Sequence, residues 1–131
     1  MNEKQLIKLA VEAMDRAYVP YSKFKVGAAL LCKDGTIYQG CNIENSSYGP
    51  SNCAERTAVF RAVFDGHREF TAIAVCGGID GVITDFLSPC GTCRQVLREF
   101  CDDDFVIIMI GPDGAYKTGT LGELLPYTAK P

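Results

Sequence analysis

The sequence predicts an α/β fold, a three-layer α-β-α sandwich whose mixed sheet has about five strands. Helical and strand-like segments alternate along the chain in the order helix, hairpin, helix, strand, helix, strand, strand. Two of the strand-like segments, FTAIAVCGG and FVIIMIG, are apolar almost throughout, which is typical of strands covered by helices on both faces. A length of 131 residues suits one domain, spanning residues 1–131.

An amphipathic helix and a hairpin open the chain. Apolar residues recur at helical spacing with charged residues between them, which predicts a helix over residues 3–17. Pro20 lies just beyond this segment and stops the helix. The segments KFKVGAALLC and TIYQGCNIE then predict two strands. Asp34 and Gly35 between them form a strong two-residue turn signal, so the strands are expected to pair as a hairpin.

The second half of the chain alternates helices with buried strands. A polar loop, NSSYGPSN, leads to a predicted helix over residues 53–64, and Gly66 is a suitable C-terminal cap. The strand FTAIAVCGG follows. The segment SPCGTCRQVLREFC starts as a loop and continues as a helix that ends near Cys101. FVIIMIG predicts a buried strand, residues 112–114 a turn, AYKTG a last strand and TLGELLP a final helical turn.

Charge and composition argue against several functions. The net charge of -3 gives no basic surface for nucleic acid. The longest apolar run is too short to cross a bilayer, and the first residues lack the uninterrupted apolar stretch of a signal peptide. We therefore expect a cytoplasmic protein with no nucleic-acid or membrane partner. In that reducing compartment the seven cysteines are expected to be buried thiols or metal ligands rather than disulfides.

Three cysteines stand at predicted helix starts. Cys90 and Cys93 have the C-x-x-C spacing that brings two thiolates to the same side of a helical turn, and Cys53 opens the preceding helix. If the two helices pack side by side, their N-termini converge, and unpaired N–H groups and helix dipoles there favour thiolates. Three protein ligands leave one tetrahedral position open, which is typical of catalytic rather than structural zinc.

Glu55 lies two residues after Cys53, where it can carry protons without binding the metal. Bound zinc lowers the pKa of water to about 7, which makes hydroxide available at neutral pH. The pair C-x-E and P-C-x-x-C matches the zinc deaminase signature, with cysteine in place of the first histidine. The longer stretches CNIENSSYGPSNCAERTAVF and SPCGTCRQVLREF resemble cytidine deaminase, in particular its small homotetrameric form with three cysteines.

This resemblance implies one Zn²⁺ per chain, held by Cys53, Cys90 and Cys93, with Glu55 as the catalytic proton carrier. It also implies hydrolytic deamination of cytidine and deoxycytidine, in pyrimidine salvage, to uridine and deoxyuridine with release of ammonia. Three thiolates give the site excess negative charge. The resemblance implies that Arg56 donates hydrogen bonds to sulfur and so withdraws part of that charge.

The resemblance further implies a nucleoside pocket and a homotetramer. Asn42 and Glu44 alternate in CNIEN, so on a strand they point to the same side, where they would bind the ribose 3′-hydroxyl. Phe24 would lie against the pyrimidine, and the backbone N–H of Ala54 would meet the base carbonyl. Tyr48 would help to build the site near a subunit boundary.

The C-terminal segment departs from the family pattern. The family usually has a phenylalanine shortly after ELLP, which reaches the active site of a neighbouring subunit. This chain has Ala129 at that place in ELLPYTAKP. Either Tyr127 substitutes for the aromatic side chain from a shifted position, or the pocket is more open.

Other interpretations stay open from the residues alone. A structural zinc site in a non-catalytic module would need a fourth ligand, for which the chain offers Cys32, Cys41, Cys76 and Cys101. A thioredoxin-like oxidoreductase could use Cys90 and Cys93, but it would leave Glu55 without a role. A related zinc deaminase could act on another aminopyrimidine nucleoside, including nucleoside antibiotics. His67, the only histidine, is expected to be exposed and is given no role.

Overall fold

The computed structural model describes residues 1–128, and the order of its helices and strands is the predicted one. A 3₁₀ turn, Pro112–Gly114, connects the last two strands. In chain order the elements are α1 (Glu3–Met14), β1 (Phe24–Cys32), β2 (Ile37–Cys41), α2 (Ala54–Phe64), β3 (Phe70–Ile79), α3 (Gly91–Phe100), β4 (Val106–Ile110), β5 (Tyr116–Thr120) and α4 (Leu121–Leu124).

The five strands form one mixed sheet in the order β2-β1-β3-β4-β5. The strands β3 and β4 run parallel, with Ala72 opposite Val106, and the helix α3 lies in the crossover between them. The other neighbouring pairs are antiparallel, and the β1–β2 pair is the predicted hairpin. The prediction of a mixed sheet of about five strands is therefore confirmed.

Helices cover both faces of this sheet. Residues that alternate along its central strands point to opposite faces and are therefore buried under different helices. On one face, Leu6, Ala10 and Met14 of α1 pack against buried residues of β1, β3 and β4. On the other face, α2 and α3 pack against other buried residues of the same strands, and Leu121 of α4 joins that cluster. The result is the predicted three-layer sandwich.

Two strand glycines allow the helices to approach the sheet closely. A β-carbon at Gly27 would overlap the backbone of α1 at the carbonyl oxygen of Ala10. A β-carbon at Gly40 would overlap the carbonyl oxygen of Ala54 in the first turn of α2. Only a residue without a β-carbon fits at such contacts. Gly40 therefore brings the start of α2 against β2, which places the residues that begin this helix.

Some element boundaries differ from the predicted ones. The helix α1 ends at Met14, because the next three N–H groups bond to carbonyl groups three residues back and tighten the chain toward Pro20. The strand β2 ends at Cys41, and the chain then forms single bridges in which Ile43 pairs with Tyr18 and Asn52. Within residues 1–128, no helix has both the length and the apolar character needed to span a membrane.

Candidate metal centre and active site

Two helix starts bring three sulfur atoms together. Cys53 and Cys90 are the N-cap residues of α2 and α3, and both have extended backbone conformations. Cys93 lies in the first turn of α3, and its Sγ atom is 3.3 Å from that of Cys90. All three Sγ atoms lie within 4.8 Å of one another. The helix N-termini converge as the sequence pattern predicts.

This sulfur set fits one tetrahedral Zn²⁺ ion. Zn–S bonds of about 2.3 Å place two tetrahedral sulfur ligands roughly 3.8 Å apart, and the observed separations, from 3.3 Å to less than 4.8 Å, lie around that value. Cys53 and Cys90 line a pocket, whereas Cys93 is fully buried behind them. Two of the three cysteines thus face the space that a reactant would occupy, an arrangement that suits a catalytic metal centre.

Hydrogen bonds within the cluster stabilise a thiolate. Arg56 donates from Nη2 to the Sγ atom of Cys53 over 3.1 Å. The pKa of Cys53 falls to about 5, chiefly because the thiol of Cys93 donates a hydrogen bond to it and also because Arg56 lies beside it. The same sulfur–sulfur contact raises the pKa of Cys93. Zinc binds the thiolate form of cysteine, so binding of the ion releases the protons that remain on the thiols.

Glu55 supplies a buried carboxyl group beside the sulfurs. It lies in the first turn of α2, lines the same pocket and is only 4% exposed. Burial raises the pKa of this carboxyl group to about 7. A group that titrates near neutral pH can both accept and release a proton during a reaction, so Glu55 suits a role in general acid–base catalysis.

A pocket of about 880 Å³ joins this cluster to the polar ends of β1 and β2. Among the residues predicted to form the site, only Cys93 is absent from its lining. Those that line it are Phe24, Asn42, Glu44, Tyr48, Cys53, Ala54, Glu55, Arg56 and Cys90. The structure brings the predicted residues together, and their individual roles stay predictions.

Asn42 and Glu44 are both held in place by hydrogen bonds to the backbone. Asn42 bonds to the first residues of β1, and Glu44 bonds to the segment just before that strand. The side chain of Asn42 donates to the carbonyl oxygen of Phe24 and accepts from the N–H of Val26, each over 2.9 Å. This pairing extends the β1–β2 contact past the end of the strand. The carboxylate of Glu44 accepts hydrogen bonds from the segment at residues 21–22, and these lower its pKa. Glu44 is therefore ionised at neutral pH.

The rim of the pocket is exposed in the single chain. Tyr48 is 86% exposed and has a φ of 58°, in the left-handed region that residues other than glycine rarely adopt. Tyr127 is fully exposed and does not line the pocket of its own chain. Ala129, at the place of the family's aromatic residue, lies outside the described residues.

The sequence interpretation missed Arg94, which fixes the loop that carries Cys90. Its guanidinium group donates to the carbonyl oxygen of Pro89 over 2.7 Å, to the hydroxyl of Ser88 over 3.1 Å and to the carbonyl oxygen of Leu124 over 2.6 Å. The position of Arg94 directly after C-x-x-C was a visible signal. Its contact with α4, made 30 residues further along the chain, was not.

A second group of possible ligands lies at the far end of α2. Atoms of Cys32, Asp34 and His67 come within 4.8 Å of one another. Burial raises the pKa of Cys32 to about 11, so this cysteine is a neutral thiol and a poorer zinc ligand than Cys53. The side chain of His67 is only 22% exposed and packs on Tyr38, so the expectation that it is exposed was wrong.

The structural zinc alternative does not agree with the observed positions. Among residues 1–128, no fourth cysteine lies within ligand distance of Cys53, Cys90 and Cys93. Three of the remaining cysteines, Cys32, Cys76 and Cys101, are buried in the hydrophobic core. The described residues form a cluster of three cysteines that could hold one metal ion, and the roles of these cysteines as ligands stay a prediction.

Zinc-dependent deaminases are the class of protein to which this fold and this placement of thiolates and glutamate correspond. More particularly, the chain belongs to the cytidine and deoxycytidylate deaminase family, because the model of that family's zinc-binding region matches residues 1–109. The family resemblance read from the sequence is thus confirmed, and the zinc cofactor agrees with the three-cysteine cluster.

Known proteins resemble the chain along nearly its whole length. A cytidine deaminase from Sporosarcina psychrophila is 52% identical over 126 residues, which are 96% of this chain and 90% of that protein. The crystal structure of cytidine deaminase from Burkholderia pseudomallei superposes with a TM-score of 0.90 at 44% identity and covers 98% of this chain and 100% of that one. A blasticidin-S deaminase from Bacillus cereus is 33% identical over 127 residues, 93% of this chain and 88% of that protein.

Proposed function

We propose that this protein is a hydrolytic deaminase of cytidine and deoxycytidine that acts in pyrimidine salvage and forms uridine or deoxyuridine and ammonia. One observation carries the proposal: a single pocket is lined by the buried carboxyl group of Glu55, by two of the clustered cysteines and by the ionised carboxylate of Glu44. A proton carrier and a separate hydroxyl acceptor suit a ligand that has a reactive base at one end and a sugar at the other.

In this mechanism Cys53, Cys90 and Cys93 would hold one Zn²⁺ per chain, and the bound ion would supply a Lewis acid that lowers the pKa of water to about 7. Glu55 takes a proton from the attacking water and delivers it to N3 of cytosine, then takes the remaining proton of the hydroxyl group added at C4 and delivers it to the departing amino group. Its buried position, with a pKa of about 7, lets one carboxyl group do both. Arg56 withdraws charge from the Cys53 sulfur through its hydrogen bond.

The remaining pocket residues position the nucleoside in this proposal. Phe24 lies against the pyrimidine, and the backbone N–H of Ala54 meets the base carbonyl. Asn42 and Glu44 bind the sugar 3′-hydroxyl, which favours a nucleoside over free cytosine. Tyr48 closes the rim from its exposed position beside a neighbouring subunit. The contacts of Asn42 and Glu44 with the backbone support these roles, since both side chains are held in place before a ligand arrives.

We also propose that residues 1–131 form one domain that assembles into a homotetramer in the cytoplasm. Phe60 and Phe64, four residues apart on α2, are 50% and 90% exposed, and self-association would cover this apolar surface. The seven unpaired cysteines suit a reducing compartment. Light scattering over a range of protein concentrations measures the assembled mass, and a monomer at all concentrations would contradict the tetramer.

The first experiment pairs a metal assay with a turnover assay on the purified protein. Zinc per chain is measured, and the absorbance loss that accompanies conversion of cytidine to uridine is followed for the wild type, Glu55→Gln and Glu99→Gln. We expect one zinc per chain in all three proteins. Activity should fall by at least about a hundredfold in Glu55→Gln, which loses the proton carrier. Glu99→Gln, a matched change at an exposed position of α3, should keep full activity.

The identity of the substrate can be separated from the chemistry of the site. The resemblance to blasticidin-S deaminase makes another aminopyrimidine nucleoside the second candidate substrate. Zinc binding with turnover of blasticidin S and none of cytidine or deoxycytidine would move the function to that substrate. Zinc binding without turnover of any of the three would leave a non-catalytic module.

A further inference from the structure

Glu44 is held by one short segment of the chain. Its Oε1 atom accepts hydrogen bonds from the N–H groups of Tyr21 and Ser22, each over 3.1 Å. Its Oε2 atom accepts a hydrogen bond from the hydroxyl of Ser22. Both carboxylate oxygens are thus fixed by donors from residues 21–22. Ser22 supplies two of these three donors, its N–H group and its hydroxyl group, and the hydroxyl is the only side-chain donor of the three.

The hydroxyl of Ser22 also joins this carboxylate to the aromatic side of the pocket. Its Oγ atom accepts a hydrogen bond from the N–H of Phe24 over 3.0 Å. Lys23 between them has a φ of 61°, and its N–H and carbonyl groups are bonded to Val19 and Asp80. A left-handed residue held at both sides does not relax freely. The turn therefore positions Ser22 toward Glu44 and Phe24 together.

The number of free acceptor positions on Glu44 limits what it can bind. An ionised carboxylate has about four lone-pair positions, and three of them are taken by Tyr21 and Ser22. The remaining position is on Oε2, the oxygen that also accepts from the Ser22 hydroxyl. One acceptor can take one hydroxyl group, so Glu44 does not grip both hydroxyls of a ribose.

We propose that Ser22 is a positioning residue for sugar recognition, which holds Glu44 so that its carboxylate offers one acceptor to a single, unphosphorylated sugar hydroxyl. The inference rests on the proposed function, in which that hydroxyl is the 3′-hydroxyl of the nucleoside. Because one hydroxyl is sufficient, ribose and 2′-deoxyribose nucleosides are bound by the same contact. A phosphate at this hydroxyl removes the donor and places negative charge beside an ionised carboxylate.

The test compares Ser22→Ala with its conservative relative and a matched control, using three substrates. kcat and KM are measured for cytidine, 2′-deoxycytidine and 3′-deoxycytidine with the wild type, Ser22→Ala, Ser22→Thr and Ser47→Ala. Ser47 is an exposed serine outside the pocket lining. We expect Ser22→Ala to raise KM about fivefold for cytidine and 2′-deoxycytidine, with kcat changed by less than about twofold. Ser22→Thr, which keeps a hydroxyl group, should have the KM of the wild type, and so should Ser47→Ala.

The 3′-deoxy substrate distinguishes positioning from a structural effect. With 3′-deoxycytidine, Ser22→Ala should behave like the wild type, since the hydroxyl that Glu44 accepts is missing. In a Glu44→Ala background, adding Ser22→Ala should likewise cost nothing further. An equal KM increase for all three substrates, or no increase for any, would overturn the role of Ser22 while leaving the deaminase function standing. A wild type that turns over none of the three nucleosides would overturn both proposals.

Discussion

Replacing Arg94 by methionine tests whether its guanidinium group holds the metal-binding loop in place. The change keeps most of the length of the side chain and removes three hydrogen bonds, to Ser88, Pro89 and Leu124. The Pro89 carbonyl directly precedes the ligand Cys90, and the Leu124 carbonyl belongs to α4. Arg94 therefore joins the loop that carries Cys90 to the last helix.

The magnitude follows from the contacts. The two carbonyl groups each lose a bond worth about 1 kcal/mol, and the bond to the hydroxyl adds little, so the total is roughly 2 kcal/mol for this half-buried side chain. For a domain of this size that corresponds to a decrease in Tm of about 6–10 °C. If the loss falls on loop opening, the loop opens up to about 30 times more often, since 1.4 kcal/mol is a factor of ten.

Two assays check this prediction against a matched control. Arg68→Met removes a guanidinium group that also donates to two backbone carbonyls, but at an exposed position far from the sulfurs. Urea unfolding should show a decrease of about 2 kcal/mol for Arg94→Met and less than about 0.5 kcal/mol for Arg68→Met. Zinc transfer to a chromophoric chelator should be faster only in Arg94→Met. Equal unfolding and equal zinc release in the two variants would refute the role of Arg94.

Three further predictions concern packing, thiol reactivity and the metal. Gly40→Ala should destabilise the protein by about 2–3 kcal/mol in urea unfolding, because its β-carbon would overlap the backbone of Ala54, whereas Gly119→Ala should change stability by less than about 0.5 kcal/mol. In the zinc-loaded protein every thiol should react slowly with a thiol reagent, because the core cysteines are buried and partial burial raises the pKa of Cys41. Chelation should expose the ligand thiols and speed the reaction. Arg56→Gln should keep its zinc and lose about tenfold in kcat.

Each of these predictions has an outcome that would contradict it. A Gly40→Ala protein as stable as Gly119→Ala would mean that α2 moves away from β2 without cost. Rapid reaction of several thiols before chelation would show that the sulfurs are not protected by a metal. Unchanged turnover and an unchanged pH profile in Arg56→Gln would show that its hydrogen bond to Cys53 does not tune the centre.

The layers of the fold and the sulfur cluster could be predicted because their signals are local. The helix α1 carries its apolar residues at regular spacing, and β3 and β4 are continuous apolar segments. Cys53, Glu55 and the C-x-x-C pair stand at helix starts within short motifs. Such patterns do not depend on which distant segment packs against them.

The parts that were missed depend on contacts between distant residues. The bond from Ser22 to Glu44 spans 22 residues, and neither residue type predicts the other. The strand β2 ends early because the Asn42 side chain bonds to the β1 backbone, an arrangement that an alternating pattern does not reveal. His67 is half-buried because the ring of Tyr38 lies against it, although a Gly-His-Arg turn suggests exposure.

Placing Cys53 and Cys90 at N-cap positions makes metal content a measure of folding. Each residue is the last one before a helix, so loss of either first turn separates the sulfurs. Metal that binds only the folded chain stabilises it by mass action, by about 2.7 kcal/mol when free metal is a hundredfold above its Kd. A chelator would therefore loosen the starts of α2 and α3 and remove catalytic competence in one step. Under zinc limitation, the population of intact protein would fall together with its activity.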